Sequence, residues 1–286
     1  MWILLALASA FFAGVMSILA KIGLKDTDSN LATALRTVVV VVFAWIMVFV
    51  VGSQKTIADV PAKSIIFLVL SGLATGGAWL CYFKALQIGN VNKVVPIDKS
   101  SVVLTMLLSM LFLGEGFTAI KLLAMVLIGV GTYLMIERKE ITSGASGGYA
   151  WIIYAGLAAV FASLTAILGK VGIEGVESNL GTAIRTIVVL IMAWFIVLMQ
   201  GKHKDIKNID RKSWVFICLS GLATGLSWLC FYSALQQGPV SVVIPIDKLS
   251  ILVTISFSFF ILKEKLKKLA VIGLALIILG TLSLLL

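Results

Sequence analysis

The chain has 286 residues, 60% hydrophobic and 13% charged, with a mean hydropathy of +1.12. A soluble domain carries about 25% charged residues, so this composition excludes an ordinary soluble globular protein. The net charge of +10 would suit a nucleic-acid binder, but the cations fall in one alternating set of short loops between apolar runs, which argues against that function.

Those runs are about 20 residues long, the length that spans a bilayer as a helix, and there are ten of them. The first, 2–22, reads as a span and not as a cleavable signal peptide, because it is long and lacks a basic start; it ends at Lys21. The second, 31–51, carries Arg36. The third, 64–86, holds "SGLATGGAWLCYFKAL" (71–86), with Gly72, Gly76, Trp79 and Lys84. The fourth, 91–113, contains the polar "VVPIDKSS" (94–101), with Pro96, Asp98 and Lys99, and closes on "FLGE" (112–115). The fifth is 117–136. The segment "ERKEITSGASGGYA" then turns charged and Gly/Ser-rich, which is linker chemistry. The second set runs 150–171, 180–200, 213–236, 240–262 and 266–286. It holds Lys170, Arg185, "SGLATGLSWLCFYSAL" (220–235) with Gly221, Gly225 and Trp228, and "VIPIDKLS" (243–250) with Pro245, Asp247 and Lys248.

The two sets are one unit written twice, at an offset of 149 residues. "SNLATALRTVVV" (29–40) answers "SNLGTAIRTIVV" (178–189), and over this pair and the two pairs above 26 of 36 positions are identical. We therefore read a first repeat at 1–138, a linker at 139–149 and a second repeat at 150–286. Five spans per repeat is an odd number, so the second repeat enters the membrane upside down. The charges have moved accordingly: loop 52–63 holds two basic residues and its counterpart 201–212 holds five. The expected fold is all-α: ten transmembrane helices arranged as two inverted five-helix repeats, the architecture of many secondary transporters.

Taking loops alternately, one face has Lys55, Lys63 and Lys121. The other has Lys25, Lys93, Arg138, Lys139, Lys202, Lys204, Lys207, Arg211, Lys212, Lys263, Lys265, Lys267 and Lys268, a split of 3 against 13. By the positive-inside bias the richer face is cytoplasmic and both termini lie outside.

The duplicated spans, the "FLGE" closing the fourth of them and the "SGLATG…W…Y…AL" of the third resemble the EamA family of the drug/metabolite transporter superfamily, over nearly the whole chain. Each half is also similar to bacterial proteins of about 140 residues holding one such repeat. The resemblance implies a ten-helix metabolite carrier of the bacterial plasma membrane with a central cavity between its halves. It implies no substrate, because the superfamily handles amino acids, nucleotide sugars, phosphate esters, drugs and lipid-linked sugars. Small multidrug exporters of that superfamily use a glutamate in the first span; residues 1–25 hold no acid here.

Seven basic residues lie in or at the ends of spans (Lys21, Arg36, Lys84, Lys99, Lys170, Arg185, Lys248) against Asp98 and Asp247, which leaves +5. A charge at a helix centre costs about 2.5–3.5 kcal/mol on the insertion scale. Asp98 and Asp247 each lie about eight residues into a span, hence ~12 Å deep at 1.5 Å per residue. Pro96 and Pro245 remove a backbone donor and free a carbonyl one turn earlier, the chemistry of a broken transporter helix. Two readings stand: Asp98 bridges to Arg36 or Lys99, with Asp247 doing likewise, as structural ion pairs; or these groups handle substrate or a coupling ion. The substrate-binding candidates are Asp98, Lys99, Asp247, Lys248, Arg36, Arg185, Trp79, Trp228 and Lys84. Pro96 and Pro245 shape helices, and Gly72, Gly76, Gly221 and Gly225 form small-xxx-small packing faces. Lys21 and Lys170 are expected to snorkel to the surface. Where the halves differ, at Lys84/Ser233 and Lys93/Val242, Lys84 is the candidate for off-centre polarity.

Cys81, Cys218 and Cys230 fall within spans and read as inert thiols. With one histidine, His203, and no nucleophile-elbow, zincin or phosphate-loop pattern, we expect no metal, no cofactor and no enzyme. The expected function is secondary transport of a small polar, anionic metabolite by alternating access, with a coupling proton or counter-substrate, membrane lipid around it and a single chain as the working unit. A flippase or exporter for a lipid-linked anionic headgroup is the alternative within the class; an ion channel or structural membrane protein is the alternative outside it. The charge split makes a prediction. A cysteine placed in loop 201–212 should be protected from an impermeant thiol reagent in whole cells, and labelling there would reverse the orientation.

Overall fold

A computed structural model describes residues 1–23, 27–88, 94, 97–135, 150–261 and 268–285; the 139–149 linker, Pro96, Lys93, Lys263 and Glu264 lie outside them. The described regular structure is helical: α1 Trp2–Gly23, α2 Ser29–Val51, α3 Ala62–Ile88, α4 Ser101–Phe112, α5 Ala119–Met135, α6 Ala150–Gly172, α7 Ser178–Met199, α8 Arg211–Gln237, α9 Val240–Lys248, α10 Ser250–Ile261 and α11 Lys268–Ser283, with short 3-10 turns at Ser53–Asp59 and Lys202–Asn208. No strand occurs among the described residues. Among the described residues seven segments are long and apolar enough to cross a membrane, α9 and α10 counting as one, and α5 and α11 are shorter apolar helices. The fourth expected span is described only in part, so the count of ten remains an expectation from sequence.

Acidic residues just outside the apolar runs start the helices. Asp28 accepts from Asn30 and Leu31 N–H at 3.0 and 3.1 Å, and Glu177 accepts from Asn179 and Leu180 N–H, both at 3.0 Å. These two N-caps are 149 residues apart. They satisfy orphan donors and fix the start of the helices that carry Arg36 and Arg185.

The described residues fall into two compact units, each drawing on both repeats: 1–73, 168–238 and 246–264 in one, and 74–167, 239–245 and 265–286 in the other. In the first unit α1 lies against α8 and α10, and α2 lies against α7 and α8. Two of the predicted glycines make the crossings. A Cβ on Gly72 would stand 2.6 Å from Val188 Cβ and 3.3 Å from the Arg185 carbonyl; a Cβ on Gly221 would stand 2.7 Å from Val39 Cβ and 3.0 Å from the Arg36 carbonyl. All three residues of one crossing are the repeat-mates of the other's. Gly225 meets Phe43 in the same way, at 2.6 Å, and Gly76 is buried. In the second unit α5 crosses α11 where Gly131 and Gly273 face each other's carbonyls.

The ninth expected span is indeed interrupted, but not at its proline. Pro245 sits inside α9, and the helix stops after Lys248, where Leu249 N–H turns back to the Ile246 carbonyl at 3.0 Å before α10 begins. Ser100, the repeat-mate of Leu249, is likewise a turn, its N–H bonded to the Ile97 carbonyl at 3.2 Å. Both breaks therefore follow the Asp-Lys pair directly. The start of α9 is held by Glu115 of the "FLGE" motif. Its two carboxylate oxygens accept from Val240 and Ser241 N–H at 2.5 and 2.9 Å, while Ser109 Oγ donates at 3.3 Å and Lys121 Nζ lies at 3.8 Å.

At the mirrored crossings, Gly72→Leu and Gly221→Leu would each drive a side chain into a β-branched residue and a backbone carbonyl. Overpacking of this kind costs about 1–3 kcal/mol or more. Both variants should melt well below wild type in detergent, and unchanged melting would show that the helices do not meet there.

Candidate functional site

Arg185 and Asp247 are each engaged by polar residues of the first compact unit. Arg185 lies eight residues beyond its N-cap, hence ~12 Å along α7. It is 2% exposed. Its Nε donates to Ser71 Oγ on α3 at 3.0 Å. The guanidinium carbon is 5.2 Å from the Trp228 ring and 4.9 Å from the Tyr232 ring. Trp228 and Tyr232 are one helical turn apart on α8, so both rings face the cation from one helix face.

Gly169 on α6 leaves room for this group. A Cβ there would stand 2.8 Å from Tyr232 Cε1, 3.3 Å from Ser71 Oγ and 3.4 Å from the Tyr232 hydroxyl.

Asp247, in the last turn of α9, accepts a hydrogen bond from Ser9 Oγ at 2.6 Å, and Ser9 Oγ is 3.2 Å from Ser227 Oγ. Ser227 immediately precedes Trp228 on α8. The partner that the structure gives Asp247 is thus a hydroxyl. One face is cationic and aromatic, the other is a carboxylate held by serines, and α8 joins them. Lys248, next in sequence, is exposed.

The first-repeat counterparts are arranged differently. Arg36 is only half-buried and points Nη1 at Met16 Sδ, 3.3 Å away. Asp98 is 22% exposed and Lys99 57%, their charged atoms 3.9 Å apart, so of the two bridges expected for Asp98 the one to Lys99 is present. Trp79 is half-buried and Lys84 exposed on α3. The repeats also differ at residues that sequence reasoning passed over. Positions matching Ser9, Ser227 and Tyr232 in the other repeat are Ala158, Ala78 and Phe83. The tyrosine has shifted by one place, from "CYF" to "CFY", which turns the phenol ~100° about its helix. Aligning the repeats and asking where one half loses hydroxyls would have found these residues.

Lys170 corrects another expectation. It does not snorkel: its ammonium donates to the carbonyls of Leu235, Gln236 (3.2 Å) and Gly238 (3.1 Å) at the end of α8. The Lys21 side chain lies outside the described residues.

The family model for EamA-like transporters matches residues 1–137 and again 149–286. The chain belongs to the EamA-like transporter family. The two matches coincide with the two repeats read from sequence. An uncharacterized transporter of Sinorhizobium sp. is 42% identical over 134 residues, 47% of this chain but 95% of that protein. An uncharacterized protein of Methanocaldococcus jannaschii is 31% identical over 129 residues, 45% of this chain and 91% of its own length. Each of these relatives therefore aligns almost end to end with a stretch the size of one repeat. An uncharacterized transporter of Bacillus subtilis is 28% identical over 160 residues, half of its own length. A solved crystal structure at 15% identity shares the fold, with a TM-score of 0.78 over 99% of this chain and 96% of its own. The EamA protein is accordingly an integral membrane transporter, and a transporter has a small-molecule substrate.

The tight site makes an ordering testable. Gly169→Ala should destabilise the EamA protein by about 1–3 kcal/mol, because the new methyl displaces the Tyr232 ring. Tyr232→Phe keeps the ring and loses only hydroxyl bonding, about 0.5–1.5 kcal/mol. Thermal unfolding should place Gly169→Ala lower; the reverse order would mean that the hydroxyl and not the space is limiting.

Proposed function

We propose that this transporter carries a small metabolite bearing an anionic group, by alternating access, and that Arg185 receives the anion. The observation that carries the reading is the setting of Arg185: a cation removed from water, faced by two aromatic rings and a hydroxyl, while Asp247, an acid of the same unit, is engaged by Ser9. The surplus of seven basic over two acidic residues in the spans supports the same sign of substrate. A guanidinium presents a planar fork that fits a carboxylate or phosphate, and the serines around Asp247 supply donors and acceptors for the substrate's neutral polar part. In this reading the working unit is one chain in a bacterial plasma membrane, with both termini outside and a proton or counter-substrate driving the cycle.

A ligand that binds the folded state raises its apparent stability, by about 2.7 kcal/mol at a hundred times its Kd. Thermal shift of the purified protein against a panel of monocarboxylates, dicarboxylates and phosphate monoesters should find at least one stabilising anion. Arg185→Gln should abolish that shift while Arg36→Gln retains most of it. A shift that persists in Arg185→Gln, or stabilisation by cations alone, would overturn the reading. Asp247→Asn is the companion test. Asn keeps a carbonyl acceptor for Ser9, so the variant should melt close to wild type, and a changed anion preference then reports function. Had Asp247 been half of a buried ion pair, removing its charge would cost about 3–5 kcal/mol.

A further inference from the structure

The ends of α6 and α8 are tied to each other reciprocally. Lys170, in the last turn of α6, gives its ammonium to three carbonyls at the end of α8, those of Leu235, Gln236 and Gly238. Gln236, in the last turn of α8, gives its amide to two carbonyls just past α6, those of Ile173 at 2.8 Å and Val176 at 2.6 Å. The last carbonyls of a helix have no partner within it and form the negative end of its dipole. Lys170 thus caps the end of α8, its three donors facing three carbonyls, while Gln236 ties α8 to the turn that follows α6.

Two further observations point to a moving part rather than a fixed cap. The clasp abuts the Arg185 site: Gly169, the neighbour of Lys170, is the residue against which Tyr232 and Ser71 pack, and Tyr232 lies one turn before Gln236 on the same helix face. Parting the helix ends would draw Tyr232, which is also packed on Arg185, away from Gly169. The same two residue types also recur 149 residues earlier, as Lys21 and Gln87, so in an inverted repeat the sequence supplies one such pair to each membrane face. The bonds are of a kind that water can replace. A lysine at a span end can extend to the surface, so the open arrangement has partners for the same ammonium.

We infer that Lys170 and Gln236 form a gate: a clasp that closes one end of the Arg185 site when made and opens it when released. This rests on the alternating-access reading above, and its test needs no substrate. Spin labels on Glu174→Cys and Gln237→Cys, both exposed positions flanking the clasp, would report the separation of the two helix ends, with Cys81, Cys218 and Cys230 replaced by serine. In liposomes the pair should show a short and a longer distance population. Lys170→Met and Gln236→Leu, which keep size and remove the bonds, should each move most of the weight to the longer one. A single narrow distance that neither variant changes would overturn the gate and leave a static cap. If a variant fails to fold, the otherwise unmodified labelled pair decides, since one population alone overturns the proposal. Failure here leaves anion stabilisation through Arg185 standing, and loss of that stabilisation with two distances present leaves the gate standing.

Discussion

The arrangement of this protein follows from a guanidinium placed where water cannot reach it. Hydrocarbon offers Arg185 no hydrogen-bond partner, so its surroundings must be built from the protein. Two rings of α8, the Ser71 hydroxyl from α3 and the space left by Gly169 on α6 all serve that requirement. The helices bringing these groups can approach only because glycines stand at their crossings, and one of them, Gly72, packs against the α7 turn that carries Arg185. Charge burial and close packing are one constraint here: the small residue lets the cation be enclosed.

Much of this was legible in the chain before any coordinates. The 149-residue duplication, the helical class, Arg185, Trp228, Asp247 and the glycine faces at Gly72, Gly221 and Gly225 were all readable, because each is written twice and each is unusual in an apolar run. The interruption near Pro245 was legible in kind but not in place, since the proline is tolerated inside α9 and the chain breaks only after Lys248. What sequence reasoning missed were serines and a tyrosine. Such residues are common in membrane helices and carry no charge to explain, and Ser9 gains meaning only when α1 is laid against α8 and α10. Lys170 was misjudged because a lysine at a span end usually has water within reach; nothing local announces that three carbonyls of α8 wait beside it.

The "FLGE" segment illustrates how a motif can mark a family without disclosing its use. Glu115 follows α4 by three residues, yet its carboxylate finishes a helix that begins 125 residues later. Covalent halves are stitched together by such contacts. The compact units likewise mix segments of both repeats.

The displaced tyrosine has a consequence of its own. With Tyr82 in one half and Tyr232 one place later in the other, two copies of a gene have diverged by exchanging neighbouring aromatics, keeping bulk and composition while swinging a hydroxyl from one bearing to another. Two identical repeats would offer the same groups twice. With Ser9, Ser227 and Tyr232 answered by Ala158, Ala78 and Phe83, each of these hydroxyls is present in one copy and absent from the other, and a single neighbouring-residue swap is enough to make that difference.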